Sequence, residues 1–494
     1  MANSTTALDV KVPGLDKLFI GGKWVDPATD AEFDVISPST EEVVAKVSDP
    51  STKDADKAVA AARNAFDAGP WPKMSIDERV AICSRLCDEM ERRLDDMNRA
   101  WAWESGAPLT HGEMINSGAG VMVWRYALQI APKIKFEERR QTPTGEVLIQ
   151  RQPTGPVLAI LTYNGPVVLM GMKVIPALLA GCPVIIKPAP ESQLTTRIVA
   201  DCVEAAGFPP GVVSVLAAGQ EVSQYLVSHP GVDMVALTGG TAIAADVLHR
   251  IADRIGRAAL ELGGKSAAII TDDVDLDEVL ATLVPGSAGF CGQVCVALSR
   301  ILVSRERYDE VVQAVASAYA AIKIGDPFDR TTVLGPLAVK RAMLRAEHYV
   351  ALAKEEGATV VTGGRRPPQF DRGYYFEPTL LSGVKNTMAV AQQEIFGPVI
   401  CAIPYENIDD AVNIANDSTF GLAASVYCRN EAQALDIASR VRSGSVAINL
   451  AGVCLTEPFG GVKQSGYGRE CGPEGILEFT ETKQILLSGS YLDS

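Results

Sequence analysis

From Gly155 onward the chain keeps setting a short apolar run, then a polar cluster, then a helical stretch. The run at 157–161 (VLAIL) ends in Thr162-Tyr163-Asn164-Gly165-Pro166 and is followed by a helical pattern to Leu179. The run at 184–186 ends in Lys187-Pro188-Ala189-Pro190-Glu191, with a helix to Ala206 behind it. After 212–216 comes 235–237, which ends in Thr238-Gly239-Gly240-Thr241. Such alternation predicts a parallel, doubly wound sheet that takes ligands at the carboxyl ends of its strands. Each polar cluster then faces one crevice. A second α/β series runs from about Gly264 to Ala447, with apolar runs at 267–270, 300–303, 359–361 and 399–403.

The front of the chain reads as structural. A strand and turn at 18–24 precede a helix from Ser51 with Asp54 in its first turn, and a second helix capped at Ser75 runs to Arg92-Arg93. Strands are expected at 141–152, with a turn at Thr144-Gly145, and at 483–488.

At 494 residues the chain exceeds one core, and about three domains are expected. Its 45 basic and 60 acidic residues leave −15, which argues against a nucleic-acid or anionic-membrane partner. The first residues (MANSTT) lack a basic segment followed by an apolar one, so no secretory signal is read there. The strongest apolar run, 174–186, holds Pro176 and Pro183 between Lys173 and Lys187. It is too short to span a bilayer and reads as core. Ten dispersed cysteines without a CxxC pair, and four histidines, support neither a metal site nor a disulfide framework. A cytoplasmic, reducing setting is the simplest expectation.

Five stretches carry chemistry in combination. Phe290-Cys291-Gly292-Gln293-Val294-Cys295 offers a nucleophile, because a thiolate attacks carbonyl carbon when its site activates it. Glu261, between Leu260 and Leu262, is a carboxylate whose burial would raise its pKa toward that of a general base. Asn164 can donate an amide N–H to an oxyanion. The Thr238-Gly239-Gly240-Thr241 turn opens a helix and suits a phosphate, and Lys187 suits a ribose or phosphate. Singly, each has an ordinary structural explanation, such as a packed cysteine, a tight turn or a solvated lysine.

Together they resemble the aldehyde dehydrogenase superfamily over nearly the whole chain. The matching stretches are the Asn164 loop, Lys187-Pro188-Ala189, Glu261-Leu262-Gly263-Gly264-Lys265, and Gly292-Gln293-Val294-Cys295 with Ser299-Arg300. Glu394-Ile395-Phe396-Gly397-Pro398 and Pro458-Phe459-Gly460-Gly461 follow in order. The resemblance implies two doubly wound α/β domains and a β-strand oligomerisation arm. The Rossmann-like cofactor domain would take 1–132 and 152–262, the catalytic domain 263–475, and the arm 133–151 and 476–494. It implies a homodimer or homotetramer that oxidises an aldehyde to the acid with NAD and water. Cys295 would form the thiohemiacetal and thioester, Asn164 would hold the oxyanion, and Glu261 would activate water. Lys187 would bind the adenosine ribose and tune local charge. Glu191, Thr238, Gly239, Gly240, Thr241, Leu262, Gly263, Glu394 and Phe396 would complete the cofactor site. Tyr163, Trp124 and Phe459 are the expected substrate-pocket residues.

Three departures from the family pattern stand out. Pro190 occupies the place of a glutamate that bonds the adenosine ribose, with Glu191 one residue later, which leaves NADP open as an alternative to NAD. Gly240 and Ala242 replace a serine and a glutamate of the phosphate turn. Gly165 stands where bulky aromatics often flank the asparagine, and this predicts tolerance of a bulky or aromatic aldehyde. Cys291, four residues before Cys295, is expected one turn away if that stretch is helical. Two rival readings are a coenzyme A-acylating relative, against which Glu261 speaks, and a relative that kept the fold without the chemistry.

Overall fold

The structure is a computed structural model and describes residues 8–143 and 145–487. Thr144 of the expected 144–145 turn, the first residues read for a leader, and the 488–494 part of the expected arm lie outside the described residues.

Five parallel strands form the centre of an eight-stranded sheet, in the order Arg257–Glu261, Met234–Thr238, Val157–Ile160, Val184–Lys187, Val213–Val215. Strand order reverses beside Val157–Ile160, so a crevice opens between it and Met234–Thr238 at their carboxyl ends. Leu18–Ile20 pairs antiparallel at one side. At the other, Gly466–Tyr467 pairs antiparallel with Leu260 and Glu261. Those two residues fall within the span expected for the catalytic domain, yet their backbone completes the first sheet. No periodicity marks a two-residue strand.

The second sheet has seven strands. Six run parallel, in the order Thr379–Ser382, Val399–Tyr405, Leu298–Ser304, Ser266–Ile270, Ala423–Tyr427, Ser445–Ile448. Thr359–Thr362 closes one edge antiparallel. A third sheet joins Thr480–Leu487, Gly145–Pro153 and Glu137–Thr142.

Helix starts follow local chemistry. Ser51 and Asp54 form a capping box ahead of Thr52–Asp67, and Ser75 and Glu78 form another ahead of Ile76–Arg92. Each box satisfies orphan amides of the first turn. The Pro166–Ala180 helix is buried at every position, which is why its sequence is apolar all round. Among the described residues no helix is long and apolar enough to cross a membrane.

The sheets meet end to edge. The link Leu262-Gly263-Gly264-Lys265 carries the chain from Glu261, the last residue of a first-sheet strand, to Ser266, the first of a second-sheet strand. The carboxyl ends of the first sheet therefore face the amino ends of the second.

Candidate active site

Every chemistry-bearing residue sits on that border. Asn164, Lys187, Thr238 and Glu261 end or follow strands of the first sheet, whereas Cys295 precedes Leu298–Ser304 and Glu394 precedes Val399–Tyr405 in the second. Glycines let the two sides close. A β-carbon on Gly263 would overlap the Glu394 carboxylate, which accepts from the Gly264 amide at 3.1 Å. A β-carbon on Gly460 would stand 2.6 Å from Glu261 Oε1. Space rather than backbone twist is what Gly263 supplies.

Cys295 is partly exposed, while Cys291 is buried and its thiol donates to the Gly335 carbonyl at 3.1 Å. The expectation that they lie one helical turn apart is corrected here. Phe290, Cys291 and Gly292 are all left-handed, with φ of 46°, 55° and 67°, so the segment coils tightly and sends the two thiols to different surroundings. Such a conformation costs about 1–3 kcal/mol at each non-glycine residue and persists only where surrounding structure holds it. Burial pushes the Cys295 thiol up to about 12, and the nearby Glu394 and Glu261 carboxylates add to the rise. At neutral pH the resting nucleophile is therefore a thiol.

Glu261 is buried, and among the described residues neither of its carboxylate oxygens has a side-chain hydrogen-bond partner. Burial raises its pKa to about 9, and the Glu470 charge contributes in the same direction. Glu470 is buried too and is ion-paired with Lys173, which stands fully buried in the apolar Pro166–Ala180 helix. Sequence reasoning passes over this pair. A lone cation in an apolar helix is the signal that points to Lys173, but nothing local marks Glu470, 297 residues away.

Asn164 is oriented by its neighbour. The Thr162 hydroxyl donates to Asn164 Oδ1 at 2.5 Å, and Nδ2 makes no hydrogen bond among the described residues. The amide N–H is thus presented rather than consumed. Directly behind it lies the amino end of the Pro166–Ala180 helix, whose dipole favours negative charge at that spot.

The cofactor candidates line the crevice of the first sheet. Among the described residues Thr238 Oγ1 is buried without a partner, and Gly240 caps the following helix with open space where a side chain would be. Ser192 Oγ and Gln193 Oε1, beside Glu191, are likewise buried and unpaired among the described residues. Orphaned polar atoms around a glycine turn at a helix start fit a bound pyrophosphate and ribose. Burial lowers Lys187 to about 8, against the raising effect of Glu191. Glu191 itself pairs with Arg341 across the cleft at 2.5 Å. Thr241 is half-buried, and its hydroxyl donates to the Gln464 carbonyl at 3.5 Å. Phe396, left-handed at φ 54°, packs edge-on to Tyr163 with ring centres 6.1 Å apart.

The three substrate-pocket candidates are placed differently from one another. Trp124 turns into the core: it is 1% exposed, packs against Gly171, and donates to the Val167 carbonyl at 2.8 Å. The family resemblance, not periodicity, named Trp124 as a pocket candidate, and periodicity reads alike for core and pocket. Tyr163 is buried with its hydroxyl on Gln293, and Phe459 is buried in a bridge to Glu470. Gly165 has nothing nearer to its missing side chain than Val168 at 3.9 Å.

This geometry has recognisable counterparts. The pattern of the aldehyde dehydrogenase family matches residues 24–485. Geranial dehydrogenase of Castellaniella defragrans is 40% identical over 96% of this chain and 98% of its own. A 3-succinoylsemialdehyde-pyridine dehydrogenase of Pseudomonas is 37% identical over 95% and 98%. Among solved structures, an aldehyde dehydrogenase of Mycobacterium tuberculosis complexed with NAD+ superposes with a TM-score of 0.95 at 42% identity, over 96% of this chain and 99% of its own. A mutant aldehyde dehydrogenase of Pseudomonas syringae, solved with NAD+ and octanal, superposes with a TM-score of 0.93 at 35% identity, covering 97% and 98%. With nearly its whole length matched in sequence and in fold, the chain belongs to the aldehyde dehydrogenase family.

Proposed function

We propose that this aldehyde dehydrogenase oxidises a bulky or long apolar aldehyde to the carboxylic acid, with NAD+ and water as co-substrates. The carrying observation is the buried Glu261 carboxyl, unpartnered among the described residues, on the same border as the partly exposed Cys295 thiol. Cys295 Sγ gives its proton to solvent and attacks the carbonyl carbon as the thiolate. Asn164 Nδ2–H and the Cys295 backbone N–H hold the oxygen as it becomes negative, and each such donor is worth about a hundred- to a thousandfold in rate. Thr238, Gly239, Gly240, Thr241, Lys187 and Glu191 hold the cofactor's adenosine and pyrophosphate portion, and Leu262, Gly263, Glu394 and Phe396 hold its nicotinamide end. NAD+, when bound there, accepts the hydride that leaves the substrate carbon. Glu261 then takes a proton from water, which attacks the Cys295 thioester and releases the acid. Burial and the Glu470 charge favour the protonated form of Glu261, and the Lys173 charge opposes them.

Substrate breadth rests on the open space at Gly165. The geranial dehydrogenase relative and the octanal-bound neighbour agree with an apolar, extended substrate. The first sheet would serve as cofactor domain, the second as catalytic domain, and the third as the arm of a homodimer or homotetramer. Leu486, 70% exposed on the Thr480–Leu487 strand, supports that arm. Ten unpaired cysteines agree with a cytoplasmic setting.

The test is NADH formation from octanal, citral and benzaldehyde without coenzyme A, comparing wild type with Cys295→Ala. Turnover in wild type and silence in the variant is the expected outcome. Turnover only when coenzyme A is added overturns the hydrolytic reading.

A further inference from the structure

We propose that Tyr163 and Gln293 form a clamp across the domain cleft that sets the spacing between nucleophile and oxyanion donor, which makes them positioning residues. The inference rests on the reaction assigned above. Asn164 and Cys295 hang on different sheets, and neither ladder fixes one against the other. Displacement of reacting groups by about 1 Å can cost on the order of a hundredfold. Something between the sheets must hold that distance.

Gln293 lies two residues before the nucleophile and is completely buried. Its Oε1 accepts from the Tyr163 hydroxyl at 3.2 Å and from the Ala338 backbone at 3.1 Å. Its Nε2 donates at 3.1 Å to the carbonyl of Phe290, the first residue of the left-handed coil. One amide thus grips the nucleophile segment and receives the side chain adjacent to Asn164. Trp101 braces both sides: its indole N–H donates to the Tyr163 carbonyl at 2.9 Å, and its ring lies 5.0 Å from that of Phe290. Because Thr162 holds Asn164 Oδ1, the direction of Nδ2 follows the backbone at 162–164. Holding Tyr163 therefore holds the donor. Phenylalanine would fill the same volume and lose only the hydroxyl that ties the two loops.

A double-mutant cycle separates positioning from general structural support. Tyr163→Phe is expected to lower kcat about tenfold, leaving KM for NAD, thermal midpoint and the rate of Cys295 alkylation by iodoacetamide unchanged. In an Asn164→Ala background the same change is expected to cost less than twofold, because the donor it places is gone. Gln293→Met supplies a second cycle should Tyr163→Phe fold poorly. Equal losses in both backgrounds, or full kcat in Tyr163→Phe, overturn the clamp while wild-type turnover leaves the reaction standing. A wild type silent on every aldehyde removes the reaction, and the clamp with it.

Discussion

A β-carbon on Gly264 would stand 2.6 Å from the carbonyl oxygen of Cys295. The backbone just after the Arg257–Glu261 strand thus closes on the backbone of Cys295. That oxygen cannot yield without moving the thiol. Gly264→Ala is expected to fold and to lose about a hundredfold or more in kcat, in line with the cost of misplacing a reacting group. Steady-state kinetics beside a circular dichroism spectrum check it.

Glu261→Gln removes the base and leaves the nucleophile. Hydrolysis of the thioester is expected to slow by about a hundred- to ten-thousandfold. A rapid-mixing experiment should still show a burst of about one NADH per active site. Absence of the burst would mean that Glu261 is needed before hydride transfer.

The raised Glu261 pKa, about 9 in the fold against roughly 4.3 for a free glutamate, ties both rate and stability to pH. The carboxylate fraction grows as pH climbs, so hydrolysis-limited kcat should rise from pH 6 to 9. The stability effect runs oppositely. Protonation is favoured in the fold, so the stabilising contribution is complete below the unfolded pKa and is lost as pH rises through about 9. The thermal midpoint of Glu261→Gln should therefore gain on wild type as pH climbs from 6 to 9.

Glu394 is the second cause, after burial, of the high Cys295 pKa. Removing its charge with Glu394→Gln should lower the thiol pKa and raise the thiolate fraction at any fixed pH. Alkylation by iodoacetamide at pH 8 is expected to quicken by up to about tenfold, the equivalent of one pKa unit. A slower rate would place the carboxylate's influence elsewhere.

Gly165 is extended at φ 170°, a conformation any residue adopts, and its side-chain space is open. Gly165→Phe should fold normally and shift preference toward short aldehydes. The ratio of kcat/KM for citral to that for propanal is expected to fall by about tenfold or more, the scale at which pocket volume discriminates.

Much of this site is readable from local pattern. Apolar runs ending in polar clusters place Asn164, Lys187 and Thr238 at one crevice, since strand ends in a parallel sheet share an edge. Ser51 with Asp54 and Ser75 with Glu78 announce helix starts, because capping depends on residues three apart. The burial of Trp124 against Gly171 was not legible, because a sequence pattern reports an apolar side chain without saying what covers it. Glu191 reads as a cofactor ligand, yet its pairing with Arg341 depends on a helix 150 residues away.

Residue types and their short-range spacing determined the alternating α/β architecture and the glycine turns, and the family resemblance of its motifs supplied candidates for nucleophile, base and amide donor. Those properties follow from chemistry within a few residues. Tertiary structure alone decided that Lys173 neutralises Glu470 beside Glu261, that Cys291 turns away from Cys295, and that Gln293 joins two sheets. Burial and charge act through distances of a few ångströms, and folding brings within that range residues that the chain keeps hundreds of positions apart.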